Sequence, residues 1–151
     1  MAGVTEIERF VGVWELEGIE DEEKDFFEGK RGRTDAGFEK PVGLLIYLET
    51  GFMSVNFAGS SRIPFLREFS PSPSELSAAS AAYGGYAGRW GLDETRREVL
   101  HHVETAFVPN RVGRTIRRSY SFKESLLLLR PIALASNDET PERVLKWRRR
   151  A

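Results

Sequence analysis

The sequence predicts an all-β fold, an antiparallel up-and-down β-barrel of about eight strands with one short helix near its mouth. Three observations predict it. From residue 10 onward, short alternating or continuous apolar runs follow one another, separated by Gly, Pro, Asn and Asp. Only one well-developed helix signature interrupts them. The two ends of the chain carry opposite charge, as the paired first and last strands of a closed barrel would. The length of 151 residues fits a single domain over residues 1–151.

In chain order, a short helical turn is expected over Val4–Phe10, then strands near 10–20, 42–49 and 52–58, with an irregular strand within 24–39. Glu49-Thr50-Gly51 supplies the turn of a hairpin. The helix falls at 73–83. Ser72-Pro73-Ser74-Glu75 places a capping Ser, a Pro at the first helical position and a Glu three residues after the cap. Leu76 and several alanines follow, and Gly84-Gly85 is read as the stop. Four further strands are expected near 86–93, 97–107, 113–122 and 125–130, and the last near 142–149. Asp93-Glu94-Thr95, Pro109-Asn110-Arg111 and Lys123-Glu124 turn the chain between them, and 131–141 reads as a loop.

The net charge of -1 conceals an asymmetry: residues 15–28 hold eight acids against Lys24 alone, whereas Arg143, Lys146, Arg148, Arg149 and Arg150 crowd the end. The balanced total argues against nucleic acid as a partner. The basic end alone is a weak nucleic-acid signal; neutralisation by the acidic first strand is the preferred reading. Without cysteine there is no disulfide, thiol nucleophile or Cys-ligated metal. No apolar run is long enough to span a membrane, and the N-terminus lacks the basic-then-apolar pattern of a signal peptide. A cytoplasmic protein is the simplest expectation, although absent cysteine also suits export.

Side chains alternate across a strand, so parity sorts each run into two faces. In 97–107 the inward set reads Val99, His101, Val103, Thr105, Phe107, which puts His101 inside and His102 outside. In 113–122 it reads Ile116, Arg118, Tyr120, Phe122. Met53, Val55, Phe57, Tyr86, Gly88, Trp90 and Leu92 face inward by the same test, as do Trp14, Leu16, Leu145 and Trp147. The 42–49 run is apolar on both faces; Leu45 and Tyr47 are placed inside. Leu126 to Leu129 is ambiguous. An aromatic interior with a few converging polar groups describes a small-molecule site.

Gly12-Val13-Trp14, VGVWELEG (11–18), VGLLIYLETGFMSV (42–55), YAGRWGLD (86–93), HHVETAFVPNRVG (101–113) and LKWRR (145–149) together resemble the bacterial and fungal lipocalin-like domain family. The HHVE…PN-x-VG segment is the most distinctive, and the matching pieces run through nearly the whole chain. The resemblance implies a small barrel with an interior ligand cavity. It also implies that Trp14 closes the floor with an Arg of the last strand packed on it, and Arg149 has the parity for that contact. Some small lipocalin-like barrels act as cyclases or isomerases, so the resemblance does not settle function.

The expected function is binding of a small, mostly apolar organic molecule, carrying a carboxylate, phenolate or carbonyl if Arg118 meets it. The expected ligand contacts are Tyr47, Met53, Val55, Phe57, Tyr86, Trp90, Val103 and Ile116. Arg118 would otherwise be an inward cation without an inward carboxylate, to be answered by an acid such as Glu68 or by reaching the barrel mouth. The alternative is an enzyme that cyclises or isomerises such a molecule without metal or nucleotide cofactor. Its catalytic set would be His101 moving a proton while Arg118 and Tyr120 stabilise negative charge. Against that set stands a His101 that is simply buried and hydrogen-bonded. A filled barrel serving as an interaction module is a third reading. Two histidines on opposite faces make a metal site improbable, and one inward His is weak support for haem. No cofactor and no membrane partner is expected, and a homodimer stays open. The 73–83 helix, with Pro64, Phe65, Leu66 and Phe69 before it, is either a mobile lid or a static plug of the barrel.

Overall fold

The computed structural model describes residues 3–21, 40–132 and 143–151. Eight strands close an antiparallel barrel in strict sequence order. They are β1 (Gly12–Asp21), β2 (Val42–Tyr47), β3 (Phe52–Ala58), β4 (Tyr83–Asp93), β5 (Glu98–Ala106), β6 (Thr115–Lys123), β7 (Leu126–Pro131) and β8 (Arg143–Arg149). Helix α1 (Glu6–Phe10) precedes β1, helix α2 (Pro73–Ala81) lies between β3 and β4, and a 3₁₀ turn covers Pro109–Arg111. The irregular strand expected within 24–39 and most of the 131–141 loop lie outside the described residues.

Both helices begin as their sequences require. Thr5 and Ser72 each form a capping box, with Glu8 and Glu75 respectively reaching back to the cap. α1 is too short to stand alone, but its last residue gives it a task. Phe10 is fully buried and meets Tyr47, Tyr120 and Phe122 edge-on, with ring centroids 5.6, 4.8 and 5.2 Å away. It plugs the end of the barrel from which β1 departs, here termed the floor.

The floor is tied to the chain's end as the resemblance implied. The Arg149 guanidinium lies 4.3 Å from the Trp14 ring centre and donates to the carbonyls of Val11 and Arg9, while Trp14 Nε1 donates to Phe10 O at 2.8 Å. Gly12 makes this possible. Its φ of 140° suits glycine, and a Cβ there would sit 2.5 Å from Arg149 Nη1 and 2.6 Å from the carbonyl oxygen of Ala151. Gly-x-Trp thus reads as one packing unit: the glycine admits the arginine that covers the tryptophan.

β1 and β8 pair, bringing the acidic and basic ends together. Arg148 bonds Glu17 at 2.6 Å and Arg150 lies 3.9 Å from Glu15. These groups are about half exposed, so each pair contributes roughly 0–1 kcal/mol and acts more on register than on stability.

The parity assignments hold wherever the strands are regular. Trp14, Leu45, Tyr47, Met53, Val55, Tyr86, Trp90, Val99, His101, Val103, Tyr120 and Trp147 are all buried, and His102 is exposed. The ambiguous leucine run resolves with Leu127 and Leu129 inward.

Parity fails at two register shifts. On β5, Val103 pairs with Gly88 but Thr105 with Ala87, so Glu104 is the extra residue. Beyond it the faces exchange: Ala106 packs on the core, whereas Thr105 and Phe107, expected inside, are exposed. On β1, Leu16 pairs with Trp147 but Gly18 with Lys146. That shift turns Ile19 toward the core.

The helix expectation needs two corrections. α2 ends at Ala81, and Gly84-Gly85 belongs to β4 rather than to a helix stop. Gly84 pairs with Phe57, and a Cβ there would come within 2.7 Å of the Phe57 ring, so the glycine makes room for an aromatic. Nor is α2 a plug. None of its residues is buried, and it stands beside the upper rim near Gly59 and Ala82. Among the described residues no helix is long and apolar enough to cross a membrane.

Candidate functional site

The interior divides into two levels. Toward the floor the barrel is filled: Phe10, Trp14, Tyr47, Trp90, Tyr120 and Phe122 pack ring against ring. Toward the other end lies a cavity of about 170 Å³ lined from all eight strands, mainly by apolar or aromatic groups, among them Ile19, Leu45, Val55, Phe57 and Leu129. The apolar residues Pro131, Leu145 and Trp147 complete that part of the wall. Five polar positions face it as well: Tyr86 and His101, then Arg111, Arg118 and Arg143. No Asp or Glu is among its described lining residues. Larger depressions of about 470 and 610 Å³ lie outside the barrel, under the 61–64 segment against α2 and on the outer face of β1–β3. They gather no buried polar group.

His101 anchors the inner wall. It is buried, with Nε2 2.6 Å from the Tyr47 hydroxyl and Nδ1 2.7 Å from the Tyr86 hydroxyl. Burial, reinforced by the positive charge of Arg118, lowers its pKa from 6.5 to about 3, so the ring is neutral at physiological pH. Burial and the neighbouring Tyr86 hold Tyr47 well above its ordinary pKa, so it stays a phenol. Each half of this chain follows from strand register. β4 and β5 set Trp90 opposite His101, and β2 lays Tyr47 against β3 so that its ring reaches across the barrel.

The arginines form the second polar feature. Arg118 makes no hydrogen bond or ion pair with any described residue. Glu68, the acid named from the sequence as a candidate partner, lies exposed beside Phe65 on an outside groove. Arg111 lies with its guanidinium 5.9 Å from the Tyr86 ring centre, and burial together with Arg118 lowers its pKa. Like charges brought to one low-dielectric wall repel, and an anion is the species that relieves them.

The expected site residues separate along the barrel axis. Val55, Phe57, Tyr86, His101 and Arg118 line the cavity together. Tyr47 stands behind His101 and reaches the cavity through it. Met53, Trp90, Val103 and Ile116 belong to the packed interior and are not cavity lining, with Trp90 Nε1 donating to Leu48 O at 2.9 Å. Tyr120 does not join His101 and Arg118. A strand advances about 3.3 Å per residue, so two residues carry Tyr120 some 7 Å toward the floor. There it packs on Phe10, and burial with Glu6 raises its pKa.

Sequence reasoning missed Arg111, Arg143, Ile19, Leu129 and Pro131 as lining. Arg143 shared parity with Leu145 and Trp147 and was legible on that ground, but was counted only as part of a basic end. Arg111 sits on a 3₁₀ turn, where strand parity says nothing.

The family model described as a lipocalin-like domain matches residues 11–150. No curated protein matches the sequence. Among solved structures the chain is similar to a mutant of the fluorescent protein UnaG, with 15% identity over 95% of this chain and 97% of that one and a TM-score of 0.45.

Proposed function

We propose that this chain, which belongs to the lipocalin-like domain family, binds a small organic anion with an apolar body inside its barrel. The observation that carries the reading is Arg118 facing the interior cavity beside Arg111, with no carboxylate in the described lining. A cavity of about 170 Å³ is several times the ~30 Å³ share of one water, yet below the roughly 300–1,000 Å³ of drug-sized sites. It suits a small molecule, or the charged head of a longer one whose body leaves through the rim. Leu45, Val55, Phe57 and Leu129 would take the apolar part, while the arginines take the charge.

Octanoate and its neutral analogue octanol test this by titration calorimetry. Octanoate should bind more tightly, and Arg118→Leu should remove most of that preference, about tenfold or more for a charge-assisted contact. Equal binding of the two probes, or an unchanged preference in Arg118→Leu, refutes the reading.

The catalytic alternative meets an obstacle in the same geometry. Both nitrogens of His101 are engaged by tyrosine hydroxyls, so a substrate in the cavity would meet Tyr86 rather than a free imidazole nitrogen. A cyclase or isomerase here would therefore work through the Tyr86 hydroxyl and the arginines.

A further inference from the structure

The Tyr47–His101–Tyr86 chain fixes where one proton sits, and that placement decides what the cavity offers a ligand. A neutral imidazole has one N–H and one bare nitrogen. With a hydroxyl at 2.6 Å from Nε2 and another at 2.7 Å from Nδ1, one tyrosine must donate to the ring and the other accept from it. The two tyrosines are not equivalent. Tyr47 is fully buried behind the ring, and its hydroxyl has no other hydrogen-bond partner among the described residues. Tyr86 lines the cavity.

Suppose Nε2 carried the proton. Tyr47 would then accept it, and its own O–H would be left in the core with no acceptor, an arrangement folded proteins rarely keep. Suppose instead that Nδ1 carries it. Tyr47 then donates to Nε2, so its proton is satisfied. Tyr86 accepts from Nδ1–H, and its own O–H stays available on the cavity side. The lining there offers arginines, which only donate, and no carboxylate. Nothing described on the wall competes for the Tyr86 proton.

We infer that His101 is locked as the Nδ1–H tautomer by Tyr47, and that this turns the Tyr86 hydroxyl into a hydrogen-bond donor held for an oxygen of the ligand, beside Arg111 and Arg118. Tyr86 is thereby a specificity-determining residue, with His101 and Tyr47 as positioning residues behind it. The site would take a carboxylate, one oxygen on the arginines and one on Tyr86, and disfavour ligands presenting only donors. The identity of the acceptor rests on the anion-binding reading; the tautomer does not.

The experiment has two arms. In the unliganded protein carrying His102→Gln, so that a single histidine remains, heteronuclear NMR of the imidazole nitrogens reports the tautomer directly. A protonated Nδ1 with a bare Nε2 at about pH 7 is the expected result; a protonated Nε2, or fast exchange between the two, overturns the inference whatever the ligand. In the second arm, Tyr86→Phe should weaken octanoate binding about tenfold, as loss of a hydrogen bond to a charged group does. Unchanged octanoate affinity in a folded Tyr86→Phe protein removes Tyr86 from ligand recognition. If octanoate binds wild type but Nε2 is the protonated nitrogen, the donor assignment fails while anion binding stands. If the tautomer is as expected but octanoate does not bind at all, the anion reading fails and takes the carboxylate assignment with it. The NMR arm needs no variant of Tyr86, so a Tyr86→Phe chain that does not fold leaves the inference open to refutation.

Discussion

The buried His101 should make the protein lose stability in mild acid, in a way one substitution isolates. In the unfolded chain its imidazole takes up a proton below about pH 6.5, whereas in the fold it does so only near pH 3, chiefly because burial penalises the charged ring and secondarily because Arg118 is close. Across that window the unfolded state binds the extra proton. Stability therefore rises with pH between the two values, and the deficit grows as pH falls through 6.5 until it levels off near 3. Integrating between about pH 7 and about pH 5 gives a loss of about 2 kcal/mol from this residue. That is a sizeable share of a typical domain stability of about 5–15 kcal/mol. Urea unfolding followed by tryptophan fluorescence at the two pH values measures it, with His101→Phe as the comparison. The variant should be weaker at both values, since the Tyr47 and Tyr86 hydroxyls lose their partner, but its loss on acidification should be smaller by about 2 kcal/mol. Carboxylates that titrate in the same range are common to both proteins and cancel in the difference. Parallel pH profiles for wild type and His101→Phe would falsify the claim that His101 is held neutral. Arg118→Leu, which removes the secondary cause, should narrow the window from its acid side.

Two other substitutions probe the frame around the site. Phe10→Ala should cost about 3–5 kcal/mol in urea unfolding, because it empties the floor position packed by Tyr47, Tyr120 and Phe122; a cost under about 1 kcal/mol would mean that α1 does not plug the barrel. Glu17→Gln should change stability by no more than about 1 kcal/mol, the scale of an exposed pair, and a larger loss would show that the β1–β8 seam depends on that ion pair with Arg148.

Much of the frame was legible in the chain. Period-two patterning separated the faces of β3, β4, β6 and β8 and of β5 up to Val103, and the Ser72–Glu75 capping signature located α2 at its N-terminus, because these depend on neighbours within a few residues. The opposite charges of the two ends also pointed to strand closure. Errors arose where a distant partner intervened. Gly84 and Gly85 look like a helix stop in isolation, yet they serve β4 by making room for Phe57 and Asn56 of β3. Phe107 sits at the inward parity, but the extra residue Glu104 exchanges the faces before the chain reaches it.

The site divides the same way. Parity alone put His101 and Arg118 inside and His102 outside, since that choice concerns only which face of one strand a residue occupies. It had no means of measuring height along the barrel axis, so it grouped Tyr120 with Arg118 although the two lie at different levels. It also missed Arg111, which a turn rather than a strand brings to the cavity. The sequence by itself therefore determined a closed antiparallel barrel with an aromatic interior and a buried cation. Only the tertiary structure decided which polar groups meet. Contact between Tyr47, His101 and Tyr86 depends on the register of strands far apart in the chain, and no local preference encodes that distance.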